Sequence, residues 1–222
     1  MSRLRSIDWT LYVITDSQLA GEFPLADVVA AAIRGGAGII QYREKALNTR
    51  HLLESAGLLC RVCRELGAVF LVNDRVDVAL AVDADGVHLG RNDMPVALAR
   101  TLLGPAKLLG VSVQDGYAMH EAESQGADYL SFSPVFATPT KPDHEEPLGL
   151  ETVRALAGRS RLPTVAIGGI NRTNVVDVMR AGVRGVCVVS AVIGASEPEH
   201  AARELYQLAR AAREELEHEK CK

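Results

Sequence analysis

The chain has no apolar stretch approaching the roughly 18–20 residues that a bilayer-spanning helix requires, which excludes a helical membrane span. Nor does the segment from Met1 to Thr10 hold the apolar run and small-residue cleavage site of a secretory leader, so a cytoplasmic protein is expected. There is no surplus of positive charge. Lys and Arg number 24 against 28 Asp and Glu, giving a net charge of −4 and a pI near 5.9. That balance argues against nucleic acid or an anionic membrane as partner, since either selects a basic face. Any anion the protein binds must be held by a local site. No Pro/Gly/Ser-rich linker, low-complexity stretch or shift in composition marks a boundary, so residues 1–222 are read as one domain. Cysteine is sparse, at four residues. Cys60 and Cys63 form a C-x-x-C, but no second pair completes a zinc site, and both sit where Leu, Ala and Cys recur at helical spacing. Buried helix packing is therefore their expected role. Cys187 lies in an apolar run and Cys221 in the charged tail.

What the chain does have is 222 residues, 48% of them hydrophobic, with a mean hydropathy of +0.08. That is enough to bury one substantial core. Short β-branched runs recur at 11–15, 38–42, 69–73, 86–89, 108–112, 128–132, 164–167 and 185–189. Between them, segments such as 26–34, 48–66, 95–103, 174–181 and the charged 199–220 carry apolar residues at helical spacing. Strict alternation of strand and helix implies parallel strands, because a parallel connection needs a crossover long enough to hold a helix. About eight such units fit a closed α/β barrel, a (β/α)8 TIM barrel, with its core at about 10–195 and a C-terminal helix at about 198–218. A doubly wound open sheet is the competing architecture. It would announce itself with G-x-G-x-x-G after the first strand, where this chain reads Asp16-Ser17-Gln18-Leu19-Ala20-Gly21.

In a parallel barrel, chemistry collects where the strands end. The second strand ends in Gln41-Tyr42-Arg43-Glu44-Lys45, and alternation puts Gln41, Arg43 and Lys45 on one side, an arrangement suited to a polyanion; a solvated charged loop is the plainer alternative. The third ends in Asn73-Asp74, and Asp93 follows the fourth. Two carboxylates on neighbouring strand ends suit Mg2+, which binds a few carboxylates and completes its shell with water and phosphate oxygens. Either aspartate could instead cap a helix. The fifth strand ends in Gly110-Val111-Ser112. After the sixth comes a long loop, from Ser133 through Thr138-Pro139-Thr140-Lys141 to about Pro147, whose hydroxyls, amides and lysine suit phosphate and whose length suggests a lid. The last two strands finish in Gly168-Gly169 and Val189-Ser190, the usual barrel position for phosphate. Jointly these describe an enzyme for two phosphorylated compounds, one of them a pyrophosphate.

In order along the chain, Tyr12-Val13-Ile14-Thr15-Asp16, Gln41 to Lys45, Asn73-Asp74, His88-Leu89-Gly90 with Asp93, Gly110 to Val113, Thr138 to Lys141, Ala166 to Ile170 and Val188 to Ala191 resemble the thiamine phosphate synthase family. The resemblance implies a transferase that joins 4-amino-2-methyl-5-hydroxymethylpyrimidine pyrophosphate to a thiazole phosphate and releases pyrophosphate. It implies that Gln41, Arg43, Lys45, Asn73, Ser112 and Lys141 hold the pyrimidine pyrophosphate, with Tyr42 and Glu44 in the same run. It implies Mg2+ on Asp74 and Asp93, and thiazole phosphate on Thr138, Pro139, Thr140, Gly169, Val189 and Ser190. Catalysis falls to Arg43, Lys45, Ser112 and Lys141, by ionisation of the pyrimidine C–O bond before the thiazole attacks. Two positions depart from the family pattern: Gln114, where many relatives carry histidine, and Ser131-Phe132-Ser133-Pro134, where Gly-Pro is common; altered loop packing is expected there. A thiazole tautomerase shares the barrel but relies on that histidine, and a non-catalytic thiazole-phosphate sensor would need only the last two strand ends. Partners are small molecules, and a homo-oligomer is left open.

Overall fold

A computed structural model describes residues 7–138 and 146–220. Eight strands close into a parallel barrel in sequence order: β1 Leu11–Ile14, β2 Ile39–Tyr42, β3 Val69–Asn73, β4 Gly86–Leu89, β5 Leu108–Val113, β6 Tyr129–Phe132, β7 Thr164–Ile167 and β8 Gly185–Val188. Every neighbouring pair is parallel, including β1 with β8, which seals the ring. The expected (β/α)8 TIM barrel is therefore present, with strand limits within a residue of the β-branched runs, and the open sheet is excluded.

Helices alternate with the strands as α1 Leu25–Arg34, α2 Thr49–Leu66, α3 Val76–Ala81, α4 Val96–Leu103, α5 Gly116–Ser124, α6 Gly149–Ala157 and α7 Val175–Arg180. The short α8 Ser190–Ile193 follows β8, and the long α9 Pro198–Lys220 closes the outer ring. The charged C-terminal helix packs on the barrel: α9 lies against α1, α7 and α8. Arg34 pairs with Glu199 at 2.8 Å and Arg180 with Glu215 at 3.1 Å across those seams. Cys60 and Cys63 are buried on the inner side of α2 as free thiols, their expected packing role.

Alternation along each strand divides the buried side chains into two sets. Val13, Ile40, Tyr42, Val72, Val87 and Val111 face outward into the core shared with the helices. Trp9, Tyr12, Ile14, Ile39, Leu71, Leu108, Tyr129, Val165 and Cys187 fill the barrel interior. A barrel of this size is a packed core rather than a pore, and two large rings inside it need compensating space. Gly110 supplies some of it, because a Cβ there would lie 2.0 Å from Cζ of Tyr129. The inward row changes from apolar to polar on approaching the C-terminal rim: Ile39 gives way to Gln41, Leu71 to Asn73, Gly86 to His88 and Tyr129 to Ser131. That change of chemistry positions the site.

Candidate active site

The polar upper layer opens into two adjoining cavities. The larger, of about 460 Å³, is lined by Tyr12, Gln41 and Ser131 at its floor and by Thr138, Gly168, Gly169, Val189 and Ser190 at its rim. The smaller, of about 230 Å³, is lined by Lys45, Asp74, Asp93, Arg91 and Gln114. Both include Arg43, Asn73, His88, Ser112, Ser133 and Pro134, so the two share one wall and one mouth. One is broad and partly apolar; the other is narrow and charged.

Strand geometry aims the cations. Beyond the end of the β1–β2 ladder, the backbone N–H of Thr15 donates to the Gln41 carbonyl at 2.9 Å. The N–H of Arg43 then donates to Thr15 Oγ1 at 3.0 Å. The extended pairing keeps the alternation going, so Gln41, Arg43 and Lys45 all reach cavity walls. Tyr42 and Glu44 point the other way and line neither cavity. Tyr42 is buried in the outer core, and Glu44 accepts from Ser17 Oγ at 2.6 Å and from the Ala46 N–H at 2.8 Å.

The two aspartates meet. The backbone turns at Asp74 with φ +60°, a left-handed conformation that Asp tolerates better than most residues. Neither aspartate caps a helix: α3 begins after Arg75 and α4 after Pro95, with no side-chain cap on either. Asp93 instead accepts the Gly90 N–H at 2.6 Å, and Asp74 pairs with the Lys45 ammonium. Burial works to raise both carboxyls. On Asp74 it is outweighed by hydrogen bonds from Asp93 and Lys45 and by the Lys45 charge, so this group lies below its usual range. On Asp93, burial is joined by the hydrogen bond and charge of Asp74, and its pKa is pushed up to about 6. Two like charges held this close share a proton unless a cation joins them. Mg2+ suits such a pair, because it takes one or two carboxylates and leaves its other positions to water and phosphate oxygens.

The loops after β6 and β7 are fastened together. Val135 N–H donates to the Ile167 carbonyl at 2.8 Å and Phe136 N–H to the Gly168 carbonyl at 3.1 Å. Gly168 and Gly169 have φ of +111° and +64°, and a Cβ on either would come within 3 Å of Pro134 or of Phe136 and Ala137. The Gly-Gly pair is thus required by loop packing. Beyond it, Ser190 and Ala191 line the larger cavity at the start of α8, where backbone amides have no carbonyl partner within the helix. Pro139, Thr140 and Lys141, with the centre of the expected lid, lie outside the described residues.

Gln114, which replaces the expected histidine, ties two loops together. Its Nε2 donates to the Ser133 carbonyl at 2.9 Å, and its Oε1 accepts from Arg91. The sequence pattern assigned no role to Tyr12, His88 or Ser131, all of which line the larger cavity. Continuing the inward alternation along β1, β4 and β6 would have found them.

A family model described as thiamine monophosphate synthase matches residues 11–192. A protein of Chloroflexus aurantiacus named thiamine-phosphate synthase is 52% identical over 208 residues, covering 94% of this chain and 96% of its own. One of Moorella thermoacetica with the same name is 47% identical, covering 92% and 98%. Among solved structures, a thiamine phosphate pyrophosphorylase from Pyrococcus furiosus superposes with a TM-score of 0.84 at 42% identity, covering 92% of this chain and 97% of that one. A 3-hexulose-6-phosphate synthase, at 19% identity and a TM-score of 0.65, shares the fold alone.

The coupling of the aspartates gives a direct expectation. Asp74→Asn removes the neighbouring charge, so the Asp93 midpoint, near 6 in the parent, falls toward the ordinary carboxylate range in a carbon-13 NMR titration of the metal-free protein. A midpoint that stays where it was contradicts the pairing.

Proposed function

The chain belongs to the thiamine monophosphate synthase family, and from that premise we propose that the paired cavities at its barrel mouth couple the two substrates of thiamine-phosphate synthesis. The enzyme is a thiamine-phosphate synthase, a transferase acting on small molecules. The observation that carries the assignment of the site is the shared wall: a charged cavity with a carboxylate pair and a wider cavity with loop amides and hydroxyls meet at Arg43, Asn73, His88 and Ser112.

In this reading the charged cavity takes the pyrophosphate of 4-amino-2-methyl-5-hydroxymethylpyrimidine pyrophosphate. Arg43, Lys45 and, from the loop outside the described residues, Lys141 bind its oxygens; Gln41, Asn73 and Ser112 orient the pyrimidine end. Asp74 and Asp93 would hold Mg2+, whose charge, when bound, offsets that of the departing pyrophosphate. The thiazole phosphate occupies the rim of the larger cavity at Thr138, Gly169, Val189 and Ser190, with Pro139 and Thr140 on the same loop.

The reaction breaks the pyrimidine methylene C–O bond. The electron pair leaves with the pyrophosphate, and the cation left behind is stabilised by its ring amino group. The thiazole nitrogen then gives its lone pair to the methylene carbon, forming the C–N bond of thiamine phosphate. No side-chain nucleophile is consumed. The residues act by placing positive charge where negative charge develops, and by keeping water from a reactive cation. The tautomerase and sensor alternatives find no support among the relatives. No described helix is long and apolar enough to cross a membrane, and the free thiols Cys60, Cys63 and Cys187 suit a reducing compartment, in keeping with a cytoplasmic enzyme.

The test is pyrophosphate release by the purified protein with both substrates and Mg2+, set against controls without thiazole phosphate and with chelator. Metal-dependent release matched mole for mole by thiamine phosphate supports the reading; no turnover, with thiazole phosphate still bound, contradicts it. Asp93→Ala is expected to abolish release while thiazole-phosphate binding, followed by calorimetry, changes little. Equal loss of both in a folded protein counts against the metal assignment. Lys141→Ala should slow bond breaking by at least about tenfold, as expected for loss of a charge-assisted contact made in the transition state. Unchanged single-turnover rates sink that role.

A further inference from the structure

Five side chains form one hydrogen-bonded path across the barrel interior, directly beneath the mouth. Gln41 Nε2 lies 2.5 Å from Tyr12 Oη, and Tyr12 Oη lies 3.0 Å from Tyr129 Oη. Tyr129 Oη is 2.8 Å from His88 Nδ1, and His88 Nε2 is 3.0 Å from Ser112 Oγ. Four of the five, Gln41, Tyr12, His88 and Ser112, line the larger cavity. Tyr129 lines neither cavity. It is wholly buried, with its ring over Gly110 and against Trp9 at a centroid distance of 5.0 Å, and cannot touch a substrate.

The path has a direction. An amide nitrogen only donates, so Tyr12 Oη accepts from Gln41. A phenol carries a single hydrogen, and that of Tyr12 goes to Tyr129, its one other partner among the described residues. Tyr129, having accepted, sends its own hydrogen to His88 Nδ1. Both phenols are buried deeply enough that desolvation holds them protonated, so neither link is a phenolate. An imidazole nitrogen that accepts carries no proton, so the ring proton of a neutral His88 is on Nε2 and is donated to Ser112 Oγ. The Ser112 hydrogen then has no use along the path, and the hydroxyl lines both cavities.

We propose that Tyr129 is a positioning residue: through the one-way path from Gln41 by way of Tyr12, Tyr129 and His88, it fixes His88 as the Nε2–H tautomer and turns the Ser112 hydroxyl outward as a donor to the bound pyrimidine pyrophosphate. The tautomer follows from the path alone, whereas the use made of Ser112 rests on the function proposed above. Reversing every bond would put the ring proton on Nδ1 and turn the Ser112 hydrogen inward to His88, where it could not serve a ligand. The two directions are therefore separable without any substrate.

The experiment is nitrogen-15 NMR of the His88 ring in the wild type and in Tyr129→Phe, combined with single-turnover kinetics on both. Expected in the wild type, at a pH where the ring is neutral, is Nε2 protonated and Nδ1 bare. In Tyr129→Phe the two tautomers mix, and the single-turnover rate falls about tenfold, the cost of one misdirected hydrogen bond. KM for the pyrimidine pyrophosphate rises as its contact with Ser112 weakens, while KM for the thiazole phosphate stays within about twofold. A wild-type ring protonated on Nδ1 overturns the direction. A mixed ring in Tyr129→Phe with an unchanged rate overturns the positioning role. Should Tyr129→Phe not fold, Tyr12→Phe interrupts the path one link earlier; a single Nε2–H tautomer and a parental rate there overturn the proposal equally. Wild-type protein that forms no thiamine phosphate overturns the functional reading and the use of Ser112, while the ring proton still decides the path.

Discussion

Closure of eight parallel strands into one ring is the constraint on which everything else depends. Once β8 pairs with β1, every second residue on every strand must point into a space only a few side chains wide, and every strand must end on the same rim. Apolar residues fill the lower part of that space and polar residues the upper part. The result is a mouth whose floor is a hydrogen-bonded layer rather than a hydrophobic one. The large rings of Trp9, Tyr12 and Tyr129 brace this layer from below, and Gly110 leaves them room. A polar group buried without a partner costs on the order of 1–3 kcal/mol, so a layer in which Gln41, Tyr12, Tyr129, His88 and Ser112 satisfy one another holds its members in a single arrangement.

Above that layer the electrostatics divide the mouth in two. The carboxylates of Asp74 and Asp93 are drawn together by a left-handed turn on one side and by the Gly90 N–H on the other. Arg43 and Lys45 stand beside them. Such a cluster, with both signs at close quarters, is poorly arranged for a simple anion and well arranged for an anion that arrives with a divalent cation. The larger cavity carries no comparable charge among its described lining residues besides Arg43 and offers hydroxyls and loop amides instead. On the proposed assignment, the separation would let two phosphorylated compounds bind without competing, and the shared wall would keep their reacting ends within reach of the same residues.

The repeating pattern of strand and helix made the barrel legible in the sequence, because a period of two and a period near 3.6 survive in the side chains themselves. Gln41, Arg43 and Lys45 were legible for the same reason, and so was the outward turn of Tyr42, once alternation is applied to the whole run rather than to its charged members. Asp74 and Asp93 could be named from their positions after β3 and β4, but not their mutual contact, which depends on a backbone turn that no local pattern announces. The path through Tyr129 was invisible for a different reason. Its links join residues 117, 29, 41 and 24 positions apart, and nothing in a single strand says which ring meets which. Gln114 illustrates a third case: a departure from the family pattern became intelligible when its amide was seen to join the loops bearing Arg91 and Ser133.

The central claim is that the carboxylate pair and the cations beside it form one site for a metal-bound pyrophosphate. Anomalous diffraction from crystals grown with pyrophosphate and Mn2+ in place of Mg2+ tests it most directly. The account predicts a manganese peak shared by the Asp74 and Asp93 carboxylates and a pyrophosphate oxygen, with Arg43 and Lys45 on the remaining oxygens. Manganese bound elsewhere on the rim, with none on the two aspartates, would contradict it.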